Sequence, residues 1–185
     1  MNFATIILSS FYFFIPAYLT NMTPPLAKKV RAFDFLDKEV DFGKKFMGEP
    51  ILGNHKTWRG VFLGIILGMM AAGIQAWLYQ FPVIREISLI QYREINILAF
   101  GFLMSSGAIF GDLFFAFIKR RLKLKPGAKF LPFDQTNYVI GAALFLTPLF
   151  KINILVWATL FILTFFLHMA ANRLAYWLGL QENPW

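Results

Sequence analysis

The chain lacks cysteine, has only two histidines and carries few charges. The missing cysteine excludes disulfides, thiolate metal sites and cysteine nucleophiles. His55 and His168 are too few for a histidine-built zinc site. Charged residues make up 15% of the chain, against roughly a quarter in a soluble domain. No internal repeat is clear, and no low-complexity linker divides the sequence. What fills the 185 positions is apolar: 58% are hydrophobic, and 23 are phenylalanine. That content is too continuous for a soluble core of this size, so lipid is expected as the main solvent. The net charge of +8 does not point to nucleic acid, because the basic residues cluster beside apolar stretches and no soluble domain offers a groove.

A membrane helix needs about 20 predominantly apolar residues. Five stretches qualify or come close: residues 3–19, 60–79, 97–118, a shorter and weaker one at 136–150, and 152–169. The first has no preceding basic residue and no small-residue cleavage pattern before Asn21, so it is expected to be a retained helix rather than a signal peptide. Gly60, Gly64 and Gly68 recur every four residues in the second, which sets small residues on one face for close packing. The expected fold is therefore an all-α integral membrane protein of five transmembrane helices, forming a single domain over residues 1–185. An extended loop should separate helices one and two, with a short amphipathic element beginning at Asp34, Phe35 and Leu36.

Loop charge gives the orientation. Residues 21–59 hold eight Lys/Arg, residues 119–129 hold six, and the tail adds Arg173. The opposite loops hold only Arg85, Arg93 and Lys151. Excess Lys/Arg marks the cytoplasmic side, so the N terminus should lie outside and the C terminus, with the long loop, in the cytoplasm.

Polar groups interrupt these spans where an anchor needs none. Asp112 lies inside the third, and an intramembrane carboxylate is a functional-site hypothesis by default. Ser105, Asp112 and Lys119 are seven residues apart, near one helical face. Asp112 either coordinates a divalent cation through oxygen or pairs internally, with Arg59 or Lys119 as partner. Gly107 and Gly111 suit helix packing. The following KRRLKLKPGAK segment can anchor at headgroups. Lys119, Arg120 and Lys125 can equally contact phosphates, and Gly127 after Pro126 supports a turn near a nucleotide. Asp134 at the next helix start either caps that helix or joins Asp112 around Mg2+, with Asn137 adding a neutral oxygen. Upstream, GNHKTWRG places Asn54, Lys56, Thr57 and Arg59 at the foot of the second span; Thr57 can cap the helix or bind phosphate, and Trp58 suits the membrane interface. The P-loop spacing is absent. His168 and Asn172 are expected to form an interhelical hydrogen-bonding pair.

At these residues the chain resembles the CTP-dependent phosphatidate cytidylyltransferase family. The signature of that family is a Lys-Arg pair, a basic-glycine stretch, and an acidic pair spaced by two residues. The matching positions are Lys119, Arg120, Lys125, Gly127, Asp134 and Asn137, with Asp112 as the preceding helix acid. Phe130-Leu131-Pro132-Phe133 replaces the bacterial histidine-glycine run, and Asn137 replaces the second acid. Those departures, the short chain and the compact NHKTWRG segment are similar to the archaeal branch, the CDP-archaeol synthases.

The resemblance implies cytidylyl transfer from CTP to 2,3-di-O-geranylgeranyl-sn-glycerol 1-phosphate, an isoprenoid ether-lipid phosphate. It implies Asp112, Lys119 and Asp134 as catalytic residues, with Mg2+ on Asp112 and Asp134. Asn54, Lys56, Thr57, Arg59, Arg120, Lys125, Gly127 and Asn137 are implied as substrate-binding residues. The rival readings are a CTP-dependent polyprenol or phytol kinase, and a small transporter with Asp112 on an ion pathway.

Overall fold

The computed structural model describes residues 2–30, 33–124 and 128–177. The architecture is helical: α1 (Phe3–Val30), α2 (Trp58–Leu78), a short α3 (Pro82–Ile87), α4 (Ile97–Arg121), α5 (Phe133–Phe150) and α6 (Ile154–Trp177). Between α1 and α2 lie a 3-10 turn at Asp34–Leu36 and a hairpin of β1 (Lys45–Phe46) and β2 (Glu49–Pro50). Among the described residues, four helical segments are long and apolar enough to cross a membrane: Phe3–Pro24, Trp58–Leu78, Ile97–Arg121 and Ile154–Leu174. α5 falls outside that set because its 18 residues open with the polar run Asp134-Gln135-Thr136-Asn137.

The helix ends follow local chemistry. Thr57 caps α2 by accepting from the Gly60 amide, and Asn96 caps α4 by accepting from Ala99. Lys119, Arg120 and Arg121 fill the last turn of α4, where cations favour the helix dipole. α1 runs well past the expected end at residue 19. Thr20 and Thr23 do not break it, because their hydroxyls donate back to the Pro16 and Leu19 carbonyls at 2.8 and 2.7 Å. Asp34–Leu36 forms a single turn with no buried residue rather than an amphipathic element. Met47 and Gly48 make the hairpin turn with φ of 56° and 84°, the two positive values that a type I′ turn requires.

The buried core is aromatic and aliphatic. Phe13 and Phe14 of α1 meet Phe100 of α4, Tyr138 of α5 and Trp157 of α6. The outer surface is apolar too, with Phe3, Ile154 and Trp177 more than three-quarters exposed, as expected of helices facing lipid.

Two glycine seams set the close approaches. Gly60, Gly64 and Gly68 of α2 lie against Pro24 and Thr20 of α1 and Ser105 of α4, whereas Gly73 faces open space. The tighter seam joins α4 to α5. A Cβ on Gly107 would stand 2.8 Å from the Gly141 carbonyl oxygen, and one on Gly141 would stand 2.7 Å from the Gly111 Cα. Gly111 rests against the Asn137 backbone. This crossing brings the Asp112 turn of α4 beside the polar start of α5.

Both sides of that crossing are backbone, so a methyl group cannot be absorbed by a side-chain rotation. Gly141→Ala should cost about 1–3 kcal/mol and lower the melting temperature in detergent, whereas Gly73→Ala, with open space and a better helix former, should hold or raise it. Equal melting temperatures for the two variants would contradict the packing described.

Candidate active site

The long loop returns to the bundle through Lys56. Its Nζ donates to both carboxylate oxygens of Asp112, at 2.8 and 2.6 Å. Lys56, not Arg59 or Lys119, is therefore the partner of the intramembrane acid. Lys119 turns instead to Asp134. Its Nζ donates to both oxygens at 2.9 Å and to the Ala128 carbonyl at 2.9 Å. The Asp134 carboxylate also accepts from the Phe130 amide at 2.9 Å. It does not cap α5, whose N-cap residue, Pro132, makes no side-chain cap bond.

Both pairs line one cavity of about 150 Å3, together with Asn54, His55, Arg120 and Asn137. Three basic side chains (Lys56, Lys119 and Arg120) line the cavity with two acidic ones, Asp112 and Asp134. Arg120 donates to the Leu124 carbonyl at 2.7 Å. Asn137 is 6% exposed, and its Oδ1 has no hydrogen-bond partner among the described residues.

The oxygen set fits a magnesium ion. Two carboxylates and an unpartnered amide oxygen are the hard donors Mg2+ takes, and it completes its shell with water and substrate phosphates. No cluster of three or more His, Cys, Asp or Glu groups is found among the described residues, so the protein alone supplies a partial shell. Each lysine Nζ spans its carboxylate where a cation would sit. At an effective dielectric of 20, unit charges 4 Å apart attract by roughly 4 kcal/mol. A divalent ion doubles that Coulomb attraction, against which stands the cost of removing its bound water.

Other expected site residues fall elsewhere. Arg59 is 3% exposed and does not line this cavity. Its two arms reach Asp34 at 2.6 Å and Asp37 at 2.9 Å, fastening the 3-10 turn to α2. Thr57 is the α2 cap and borders a smaller cavity, whose lining includes Lys56 and Asp112 together with the apolar Val61, Ile109 and Leu113. Lys125 and Gly127 lie outside the described residues. His168 and Asn172 do bond, at 3.2 Å, but both belong to α6, so the pair lies within one helix rather than between helices.

Sequence reasoning missed the clamp made by Arg121. Its guanidinium donates to the carbonyls of Phe46, Glu49 and Pro50 and stacks on the Phe46 and Phe117 rings. It also missed Asp41, whose carboxylate accepts from the amides of Gly43, Leu52 and Gly53. Only the density of charge in the long loop hinted at either contact.

Comparison with known proteins places this arrangement. The family model for CarS-like CDP-archaeol synthases matches residues 3–185. The CDP-archaeol synthase of Methanococcus aeolicus is 30% identical over the whole of both chains. Those of Methanococcoides burtonii and Pyrococcus horikoshii are each 34% identical, over 92% and 97% of this chain and 99% and 97% of their own. A solved structure described as an intramembrane enzyme for archaeal membrane lipids biosynthesis superposes with a TM-score of 0.72 at 25% identity, covering 90% of this chain and 94% of that one. The chain belongs to the CDP-archaeol synthase family and is a multi-pass membrane enzyme.

The fork of Arg59 holds two loop acids, so Arg59→Lys should loosen the loop and leave the chemistry intact. The expected result is a lower melting temperature and faster proteolysis within residues 33–57, with KM for nucleotide unchanged. A raised KM without loss of stability would return Arg59 to the substrate.

Proposed function

We propose that the chain transfers CMP from CTP to the phosphate of 2,3-di-O-geranylgeranyl-sn-glycerol 1-phosphate, forming the CDP-lipid and pyrophosphate. The observation that carries this reading is the convergence of Lys56, Asp112, Lys119, Arg120, Asp134 and Asn137 on one cavity. A lipid-phosphate oxygen attacks the α-phosphorus of CTP. The new P–O bond forms as the bond from Pα to the bridging oxygen breaks, and pyrophosphate leaves with that electron pair. The lipid phosphate is ionised near neutral pH, so no strong protein base is required.

The protein's contribution is to position two anions and offset their repulsion. Lys56 and Lys119 supply point charges, and Arg120 supplies a planar fork of donors. Asp112 and Asp134, with Asn137 Oδ1, would hold Mg2+, whose bound charge neutralises phosphate oxygens. The apolar wall of Val61, Ile109 and Leu113 beside Lys56 and Asp112 gives the lipid end an apolar approach, while the phosphate meets the cations.

All five long helices cross the membrane in this reading, α5 included, with the N terminus outside and the C terminus and active site cytoplasmic. The uneven loop charge supports it, since Lys56, Lys119 and Arg120 belong to the basic side. Tags at residues 1 and 185 should label from opposite faces; labelling from one face would remove the odd number of spans.

CTP labelled at the α- or γ-phosphate separates transfer from phosphorylation. The α label should enter the lipid product, and the γ label should leave as pyrophosphate. A γ label in the lipid would instead identify a kinase. Asp112→Asn should lower turnover by about 100-fold or more in protein that stays folded, with Asp134→Asn less severe because Asn137 remains nearby. Wild-type turnover and metal dependence in Asp112→Asn would remove its role.

A further inference from the structure

The loop between α1 and α2 carries exposed rings, and three of them rest on rings at the foot of a membrane-type helix. Phe33 meets Phe62 of α2 with ring centroids 6.3 Å apart, Phe42 meets Trp58 of α2 at 6.5 Å, and Phe46 meets Phe117 of α4 at 6.4 Å. Trp58 and Phe62 are themselves exposed on α2. Above Phe117, the same face of α4 shows Phe114 and Phe110, which stack on each other and are both exposed. The lipid-facing surface of the helices therefore continues onto the loop. A contiguous apolar patch of this kind marks contact with membrane rather than water.

A groove of about 500 Å3 opens where the hairpin leans on α4, lined by Lys44, Lys45, Phe46, Ile51 and Phe117. Arg121 fixes its walls. The guanidinium lies 5.3 Å from the Phe46 ring and 5.1 Å from the Phe117 ring, and it donates to the Glu49 and Pro50 carbonyls at 3.2 and 2.6 Å. Lys44 and Lys45 are exposed, and neither side chain has a hydrogen-bond or ion-pair partner among the described residues. Met47, at the hairpin turn, is 81% exposed. The groove thus joins two unpaired cations to an apolar wall at the end of a membrane-type helix. It shares no lining residue with the reacting cavity.

We infer that this groove holds the headgroup of an anionic phospholipid of the bilayer, with its phosphate on Lys44 and Lys45 and its chain along Phe46, Phe117, Phe114 and Phe110. Both halves of such a lipid are matched. The lysines supply charge at headgroup level, and the rings supply an apolar track that a soluble anion would leave uncovered. The occupant is a resident lipid rather than the one that reacts, because its phosphate lies outside the cavity that holds Asp112 and Asp134. The site is nonetheless coupled to the loop. The Ile51 amide donates to the Lys44 carbonyl at 3.1 Å, and the chain runs on from Ile51 to Asn54 and Lys56 in the reacting cavity. A lipid on the hairpin steadies the strand that leads there.

The test is photocross-linking of the full chain in phosphatidylcholine nanodiscs doped with photoreactive phosphatidylglycerol or, separately, photoreactive phosphatidylcholine, with labelled peptides read by mass spectrometry. A lysine beside an anionic headgroup is worth about a fivefold preference. Phosphatidylglycerol should therefore label residues 44–51 and 110–117 at least about fivefold more than phosphatidylcholine does. Lys44→Gln with Lys45→Gln should bring the two lipids level, whereas Lys44→Arg with Lys45→Arg should keep the preference. If the glutamine variant gives no melting transition, raising the salt on wild-type protein should shrink the preference by screening. Equal labelling by the two lipids in wild-type protein overturns the inference, and so does a preference that survives both the glutamine variant and high salt. Loss of labelling on adding inorganic phosphate would make the groove a soluble-anion site, and loss on adding the ether-lipid phosphate would make it a substrate site; either result overturns the resident lipid. No outcome bears on cytidylyl transfer, which the labelled-CTP experiment decides separately.

Discussion

A carboxylate inside an apolar bundle needs a cation, and Asp112 takes its cation from 56 residues upstream. The pairing of Lys56 with Asp112 ties the long polar loop to the membrane-type helices. It is a buried-side interaction rather than a surface ornament, since both side chains are nearly three-quarters shielded. Isolated surface pairs contribute about 0–1 kcal/mol; removing one partner of a shielded pair leaves the other charge desolvated and costs considerably more. The loop is consequently held where its residues can complete a cavity that the helices alone do not close. The second pair, Lys119 with Asp134, repeats the device across the α4–α5 crossing.

The remaining loop charges divide by geometry into those that build the loop and those left to face the cavity. Arg59 fastens the 3-10 turn, Arg121 fastens the hairpin through three carbonyls, and Asp41 gathers three amides. None of these lines the reacting cavity. Lys56, Lys119 and Arg120 do, and they do so beside both carboxylates. Asn137 completes the set because Gly111 lets its backbone approach α4 closely. Helix packing and active-site geometry are therefore the same constraint seen from two sides.

Much of this was legible from residue order. The apolar stretches marked the long helices, and the four-residue glycine spacing marked the packing face of α2 without naming its neighbours. The seven-residue spacing put Asp112 and Lys119 near one helical face, and both line the same cavity. What residue order could not give was pairing. Lys56 and Arg59 are three residues apart at the same helix foot, yet one enters the cavity and the other is drawn under the loop by Asp34 and Asp37. That choice depends on where the chain folds back, which no local periodicity encodes. α1 extends past the apolar stretch that ends at residue 19, because Thr20 and Thr23 bond their hydroxyls to carbonyls within the helix, which hydropathy does not report. His168 and Asn172 have the spacing of helical neighbours, and that local bond is the one they make.

We propose that Asp112 and Asp134 would hold one cation together with the nucleotide phosphates. Electron–nuclear double resonance with Mn2+ in place of Mg2+ measures this without relying on turnover. Wild-type protein with CTP should show a protein-bound Mn2+ signal coupled to phosphorus. Converting both carboxylates to amides should abolish that bound signal while the protein keeps its melting transition. An undiminished phosphorus-coupled signal in the doubly substituted protein would contradict the account.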